Sequence, residues 1–153
     1  MAGLVYSFEH DIAAAAAKVL TAAGIPAVAL SDASPKRYFP SVLVEPDDLD
    51  NAFETSYNDA GIFRMMLYLH CDTYLPDDVN GAANASLVSL VRTCMFTGFA
   101  AQLVAEAANF AFYAVRPGKS YAADETDLRR ITQEVEVIFT PATSTEEDSN
   151  ANG

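Results

Sequence analysis

The chain has 153 residues, of which 51% are hydrophobic and 20% charged, and its formal net charge is −12 at pH 7. This length predicts a single domain that buries a core without metal ions or disulfides. The acidity disfavours sequence-independent binding to DNA or RNA, and no apolar stretch reaches the roughly 18 residues of a bilayer span.

The first predicted element is a helix that follows Ser7 and ends before Gly24. Ser7 is a favourable N-cap, and apolar residues recur at helical spacing through Leu20. Gly24 suits the position after the last turn, and Pro26 prevents continuation. Glu9 and Asp11 lie where a secretory signal peptide has apolar residues, so we expect an intracellular protein whose two cysteines stay reduced.

The next stretch is predicted to form strands. Residues 27–30 are a candidate short strand, and residues 41–45 are a strand near a sheet edge. Residues 47–61 form a polar excursion. Residues 62–72 alternate strictly, which predicts a half-buried strand with one apolar face and one mixed face that is solvated or contacts another subunit. The apolar face holds Phe63, Met65, Leu67, Leu69 and Cys71, and the mixed face holds Ile62, Arg64, Met66, Tyr68, His70 and Asp72.

Two helical segments and two strands follow. Asn80 or Asn84 is expected to cap a helix that ends near Gly98, and residues 99–108 continue as a second helix at an angle. Residues 109–116 form a strand that Pro117 and Gly118 close. After a loop at 119–126, residues 129–140 form the last strand, with Ile131, Gln133, Val135, Val137 and Phe139 on one face.

This order of elements predicts an α+β fold, because the strands come in consecutive pairs rather than alternating with helices. We expect a mostly antiparallel sheet of four to five strands with two or three helices packed on one face. Residues 1–140 are expected to form this single domain. Residues 141–153 are expected to form an acidic, disordered C-terminal tail, since they contain no large apolar residue.

No catalytic, cofactor-binding or metal-binding residue is predicted. The glycines are too dispersed for a phosphate-binding loop, and no G-x-S-x-G motif occurs. His70, Cys71 and Asp72 are adjacent, but in a strand Cys71 points away from the other two. His70 and Asp72 remain candidates for a pH-sensitive pair or for two ligands of a metal. The favoured interpretation is a structural histidine that hydrogen-bonds a neighbour on the sheet.

The remaining polar and aromatic groups have structural interpretations. Two pairs of aspartates, Asp47 with Asp48 and Asp77 with Asp78, are interpreted as solvated loop residues. The paired Arg129 and Arg130 are interpreted as a solvated edge or an interface pair rather than a phosphate site. His10 is assigned to the surface, and Phe110, Phe112 and Tyr113 to the core or an interface.

The pattern resembles a known family. A helix ending in KVLTAAG is followed by YFPSVLVE and DAGIFRMMLYLHCD, then by the central helix ASLVSLVRTC and the closing strands NFAFYAVR and RRITQEVEVIF. Over about residues 4–140 this order resembles the small tail-terminator and tail-completion proteins of long-tailed bacteriophages and prophages. No site residue is carried over, because the resemblance lies in the order of elements.

The resemblance implies a virion structural protein, assembled in the cytoplasm of a bacterial host, with no cofactor and no membrane partner. It implies a homohexameric ring that caps the tail tube, stops its polymerisation and presents a face to the neck or connector proteins. The contacts in such a ring are heterologous and close by rotation. An acidic ring lets DNA pass without specific binding. Residues 47–61 and 117–127 are the segments expected to reach neighbouring subunits.

Three alternatives stay open. The first is another ring component, such as a head–tail connector or a tail-tube subunit. The second is a small cytosolic ligand-binding or enzymatic α+β domain, with Tyr68, His70 and Asp72 lining a pocket on the sheet. The third is a non-viral adaptor.

Overall fold

Helices and strands succeed one another along the chain in the computed structural model, which describes residues 8–33, 37–47, 49–51 and 61–141. The helices in these ranges are α1 (Phe8–Ala22), α2 (Ala82–Thr97) and α3 (Phe99–Glu106). The strands are β1 (Ala27–Ala29), β2 (Ser41–Pro46), β3 (Asp50–Asn51), β4 (Phe63–Tyr74), β5 (Phe110–Ala122) and β6 (Leu128–Pro141).

The strands form one sheet in the order β1-β2-β4-β6-β5, and the two-residue β3 pairs with the start of β4. Only β1 and β2 run parallel, and the other paired strands are antiparallel. The predicted α+β class with a mostly antiparallel sheet is therefore confirmed. The strand predicted near an edge, β2, lies one position inside it, because β1 covers its outer side.

All three helices pack on the same face of the sheet. The helix-facing side of β4 is the apolar face that the alternation predicts, and it joins residues from every helix in one core. The core includes Ile12 and Leu20 of α1, Leu87 and Val91 of α2, Phe99 and Leu103 of α3, and Val135, Val137 and Phe139 of β6. Burial raises the pKa of the Cys71 thiol to about 12, so this thiol stays protonated and packs as a small apolar group.

Helices α2 and α3 form a broken pair that bends by 75°. The break is at Gly98, whose φ of 145° is easily reached only by glycine, and its position matches the expected change of direction. Within the described ranges no single helix has the length and apolar composition to cross a membrane. The bent pair α2–α3, counted as one segment, has a sufficient length and apolar composition.

Strand β5 is longer than predicted. The expected end at Arg116 is wrong, because β5 continues through Pro117 and Gly118 to Ala122. A proline is tolerated there since β5 is an edge strand, and a register shift between Pro117 and Ser120 absorbs the irregularity. The segment expected as a loop at 119–126 is therefore strand up to Ala122.

Three expectations fall on residues outside the described ranges. These are the cap at Ser7, residues 52–60 of the polar excursion and residues 142–153 of the C-terminal tail. Strand β6 ends at Pro141, which is one residue beyond the expected end of the domain.

Gly24 provides a test of the end of α1. Its φ is +88°, and apart from its chain neighbours no atom lies within 4 Å of the place a Cβ would occupy. A side chain would therefore meet a backbone penalty without a clash. We expect Gly24→Val to lower the free energy of unfolding by about 1–2 kcal/mol. Gly24→Asn should cost less, because Asn tolerates this region. Urea denaturation measures both, and equal losses would contradict a conformational cause.

Candidate functional site

The sheet face opposite the helices carries a buried ionic cluster centred on Asp72 of β4. Asp72 is 0% exposed. Arg130 of β6 donates from Nε to its Oδ1 at 2.6 Å and from Nη2 to its Oδ2 at 2.8 Å. Arg37, which precedes β2, donates from Nη1 to Oδ2 at 2.9 Å and from Nη2 to the Ser41 hydroxyl at 2.8 Å. One carboxylate thus joins β2, β4 and β6 through two guanidinium groups.

His70 lies two residues earlier on the same face but does not contact Asp72. Its Nδ1 shares a hydrogen bond with the Thr132 hydroxyl at 2.8 Å, and its Nε2 lies 2.7 Å from Glu45 Oε1. Both ring nitrogens therefore have protein partners, which is the hydrogen-bonded arrangement favoured for this residue. Among the described residues, no three of the His, Cys, Asp and Glu side chains are placed to hold a metal ion.

Tyr68 completes this row of side chains on β4. Its ring stacks on His70 with centroids 6.0 Å apart, and its hydroxyl donates to Asp47 Oδ2 at 2.9 Å. Desolvation, followed by the hydrogen bond to Asp47, raises the pKa of Tyr68 to about 12. The phenol is therefore protonated at neutral pH. Tyr68, His70 and Asp72, which the alternative of a ligand-binding or enzymatic domain places in a pocket, thus all have hydrogen-bond partners within the chain.

Asp78 differs from its interpretation as a solvated loop residue, because it is 4% exposed and caps α2. Its Oδ1 accepts the Ala83 amide at 2.9 Å, and its Oδ2 accepts the Asn84 amide at 3.0 Å and the Thr73 hydroxyl at 2.8 Å. Desolvation by itself would raise the pKa of this carboxyl. The hydrogen bonds from Ala83, Thr73 and Asn84, with the charge of Arg129, outweigh it and lower the pKa below its usual range.

Neither asparagine caps α2 in the way predicted. Asn84 lies inside the first turn, where its buried side-chain amide donates to the Cys71 carbonyl at 2.9 Å and the Arg129 carbonyl at 3.0 Å. Asn80 Oδ1 accepts the Ala82 amide at 3.1 Å, so it supports the turn before the helix. Asp78 lies three residues before Gly81, which occupies the N-cap position, so the preference for aspartate at the N-cap does not identify it from the sequence.

Arg129 and Arg130 both bind partners within the chain, and they do so on opposite faces of β6. Strand alternation sends them to opposite faces, so Arg130 binds Asp72. Arg129 donates to the carbonyls of Asp78 at 3.2 Å and Val79 at 3.0 Å on the helix side. Although they are adjacent in sequence, the two side chains therefore do not lie on one common surface.

The outer edge of β5 is free in the described structure. β5 pairs only with β6, and residues 116–122 are exposed throughout. Phe110 belongs to the core and Phe112 packs partly against it, as expected for the aromatic group. Tyr113, by contrast, is 62% exposed, at a register shift between Phe112 and Ala114.

A groove of about 730 Å³ lies between α2 and the end of the β5–β6 pair. We call it the α2–β5 groove. Its wall on α2 includes Ser89, Arg92, Thr93 and Phe96, and its floor includes Ala122 and Ile131. Phe96 is 73% exposed, and Arg92 donates from Nη2 to the Ser120 hydroxyl at 3.0 Å.

The ionic cluster predicts a large effect of neutralising Asp72. We expect Asp72→Asn to lower the free energy of unfolding by about 3–5 kcal/mol, because two buried guanidinium groups would lose their shared counter-charge. Arg116→Gln is the control, since the Arg116 side chain is 62% exposed in its pair with Glu136. The control should cost at most about 1 kcal/mol. Similar midpoints for both variants in urea denaturation would contradict a central role for the cluster.

The lowered pKa of Asp78 predicts a pH-dependent contribution. A carboxyl with a lower pKa in the folded state stabilises the fold above its unfolded pKa of about 3.9, and this stabilisation is lost as pH falls through the folded value. We expect Asp78→Asn to be less stable than the wild type at neutral pH, with the difference shrinking below about pH 4. Asp77→Asn, at the exposed neighbour, should have little effect. Denaturation at several pH values tests this, and a constant difference would count against it.

No protein-family model matches the chain, and no curated protein is significantly similar to it in sequence. Function is therefore inferred from the fold, from the free edge of β5 and from the α2–β5 groove.

Proposed function

We propose that this protein is a structural subunit of a bacteriophage or prophage virion, similar to a tail terminator. Identical subunits form a ring, most simply a hexamer, that caps the tail tube, ends its polymerisation and joins it to the neck. The order of elements supports this proposal. α1, the paired strands, the long β4, the broken helix α2–α3 and the long β5–β6 pair follow the order on which the family resemblance rests.

The observation that carries the proposal is the free flank formed by β5. A long edge strand with exposed aromatic side chains is a surface that proteins normally cover or use for association. Tyr113 on β5 and Phe96 beside its end are the most exposed aromatic side chains of this flank, at 62% and 73%. Pro117 and the register shift after it limit strand pairing in the second half of β5. The first half, up to Val115, is therefore the part that suits contact with a second subunit.

The two edges of the sheet favour a head-to-tail arrangement. One edge is the three-residue β1, and the other is the thirteen-residue β5. Because these edges differ, a contact between them is heterologous, and repeated rotation through such a contact gives a closed ring.

The charge distribution supports an assembly that surrounds DNA without binding it. The net charge is −12. Several described basic side chains are paired with carboxylates, including Arg37 and Arg130 with Asp72, and Arg116 with Glu136. A ring of such subunits repels a passing polyanion.

The proposal is tested by the oligomeric state of the full chain and by its action on tail tubes. We expect native mass spectrometry and sedimentation velocity to show a closed oligomer. Added to growing tail tubes of the phage or prophage that encodes it, the protein should appear in electron micrographs as a ring at one end and stop elongation. A monomer at every concentration would overturn the proposal. Rings that leave tube growth unchanged would favour the alternative of a head–tail connector.

Tyr113 provides a sharper test of the β5 flank. We expect Tyr113→Lys to raise the concentration needed for assembly about tenfold, because it replaces a potential contact residue with a charge that blocks edge association. Its melting temperature should change little, since the side chain is mostly exposed. Leu90→Lys is the matched control, because Leu90 is 53% exposed on α2 and does not line the groove. Equal effects on assembly would contradict a specific role for β5.

A further inference from the structure

We infer that the C-terminal tail of each subunit lies in the α2–β5 groove of its neighbour, with Glu146, Glu147 and Asp148 close to Arg92. This inference rests on the proposed ring and specifies one of its contacts. It assigns an occupant to the groove and a role to the acidic end of the chain.

The charges of the groove suit an acidic segment. Arg92 makes no ion pair with a described carboxylate, and its guanidinium donates to the neutral Ser120 hydroxyl. Arg129 also lines the groove, although it is partly engaged by Asp78 at 3.7 Å. The one acidic side chain in the lining, Asp124, accepts the Arg130 amide at 2.8 Å. A chain with a net charge of −12 thus has a locally cationic groove.

The rest of the lining suits the composition of the C-terminal tail. The hydroxyls of Ser89, Thr93 and Thr97 stand along the α2 wall beside the exposed ring of Phe96. Residues 142–153 read ATSTEEDSNANG, with small and polar side chains around the three acidic ones. Such a segment offers backbone and hydroxyl groups to the wall and small apolar groups to the ring.

The geometry of β6 favours the groove of a neighbour over the subunit's own groove. Arg92 contacts Ser120, which pairs with Gln133, eight residues before the end of β6 at Pro141. At about 3.3 Å per strand residue, that end lies roughly 26 Å from the Arg92 contact. Glu146 to Asp148 follow Pro141 by five to seven residues, whose backbone spans about 17–25 Å when fully extended, so these side chains would reach the subunit's own Arg92 only if the chain reversed direction and stayed fully extended along the sheet.

The direction of β6 also fits a repeating contact. The strand begins beside the groove, at Arg129 and Ile131, and ends at the opposite end of the sheet. The tail therefore leaves one end of the subunit, while the groove opens at the other. A tail-to-groove contact of this kind is heterologous, which is the class of contact that a ring requires.

Charge reversal in the full-length chain tests the inference. We expect Arg92→Glu to raise the concentration for ring assembly about tenfold in sedimentation velocity, because attraction becomes repulsion. The combined change Glu146→Lys, Glu147→Lys and Asp148→Lys should have a similar effect. It alters no described residue, so it remains informative even if Arg92→Glu destabilises the subunit. Lys18→Glu is the control, since it makes the same charge change on α1 at a side chain that is 72% exposed. The control should change assembly less than about twofold.

Mixing the variants shows whether the tail occupies the groove of a neighbour or the groove of its own subunit. A chain carrying both reversals should assemble like the wild type. An equal mixture of the Arg92→Glu chain and the tail-reversed chain should also assemble, because every contact in an alternating ring then joins opposite charges. Rescue in the combined chain without rescue in the mixture would place the tail in its own groove and overturn the inference.

The remaining outcomes distinguish this inference from the proposed function. If the wild type, the Arg92→Glu chain and the tail-reversed chain all form rings at the same concentration, the inferred tail contact is wrong and the proposed ring still stands. If the wild type is monomeric at every concentration, the proposed function is wrong and the tail contact falls with it.

Discussion

Strand β4 has two chemically different faces, and the rest of the molecule depends on that difference. It is paired on both sides, with β2 and β3 along one edge and β6 along the other. Its odd-numbered residues enter the core beneath the helices. Its even-numbered residues carry the polar links across the sheet, from Glu45 through His70 to Thr132 and from Arg37 through Asp72 to Arg130. A register slip of one residue would exchange the two faces, so these links and the core specify the same pairing.

The helical layer is fastened to this sheet at the start of α2. Asp78 accepts the first amides of the helix and the hydroxyl of Thr73 on β4. Asn84 adds hydrogen bonds to the backbones of β4 and β6. From there α2 runs over β4 and β6, and the break at Gly98 lets α3 pack on β5 and against α1. The α2–β5 groove lies between α2 and the far end of β5, where Arg92 reaches Ser120. An internal capping network thus sets the position of one wall of this groove.

Local patterns predicted most of the elements, because alternation and helical spacing are properties of neighbouring residues. The faces of β4 and β6, the end of α1 at Gly24 and the break at Gly98 could all be predicted in this way. The extension of β5 could not, since Pro117 is compatible with a strand only when its outer side has no partner. The pairing of Arg37 with Asp72 joins residues 35 positions apart, and no local pattern identifies it. Asp78 accepts the amides of Ala83 and Asn84 from outside the N-cap position, and its place beside Asp77 suggested a solvated pair.

The residues that stabilise the subunit therefore differ from those that the proposed ring would use for contact. The ionic cluster around Asp72 and the cap at Asp78 lie inside the subunit, where they hold strands and helices in register. On the surface lie Tyr113, Phe96 and Arg92, and Arg92 donates one hydrogen bond to the Ser120 hydroxyl. Substitutions in the first group should unfold the subunit, whereas substitutions in the second should leave it folded and change only its association. In the proposed ring, β6 ends at one end of the subunit and the groove opens at the other, so the contact would have a direction, and a directed contact between identical chains is what closes a ring.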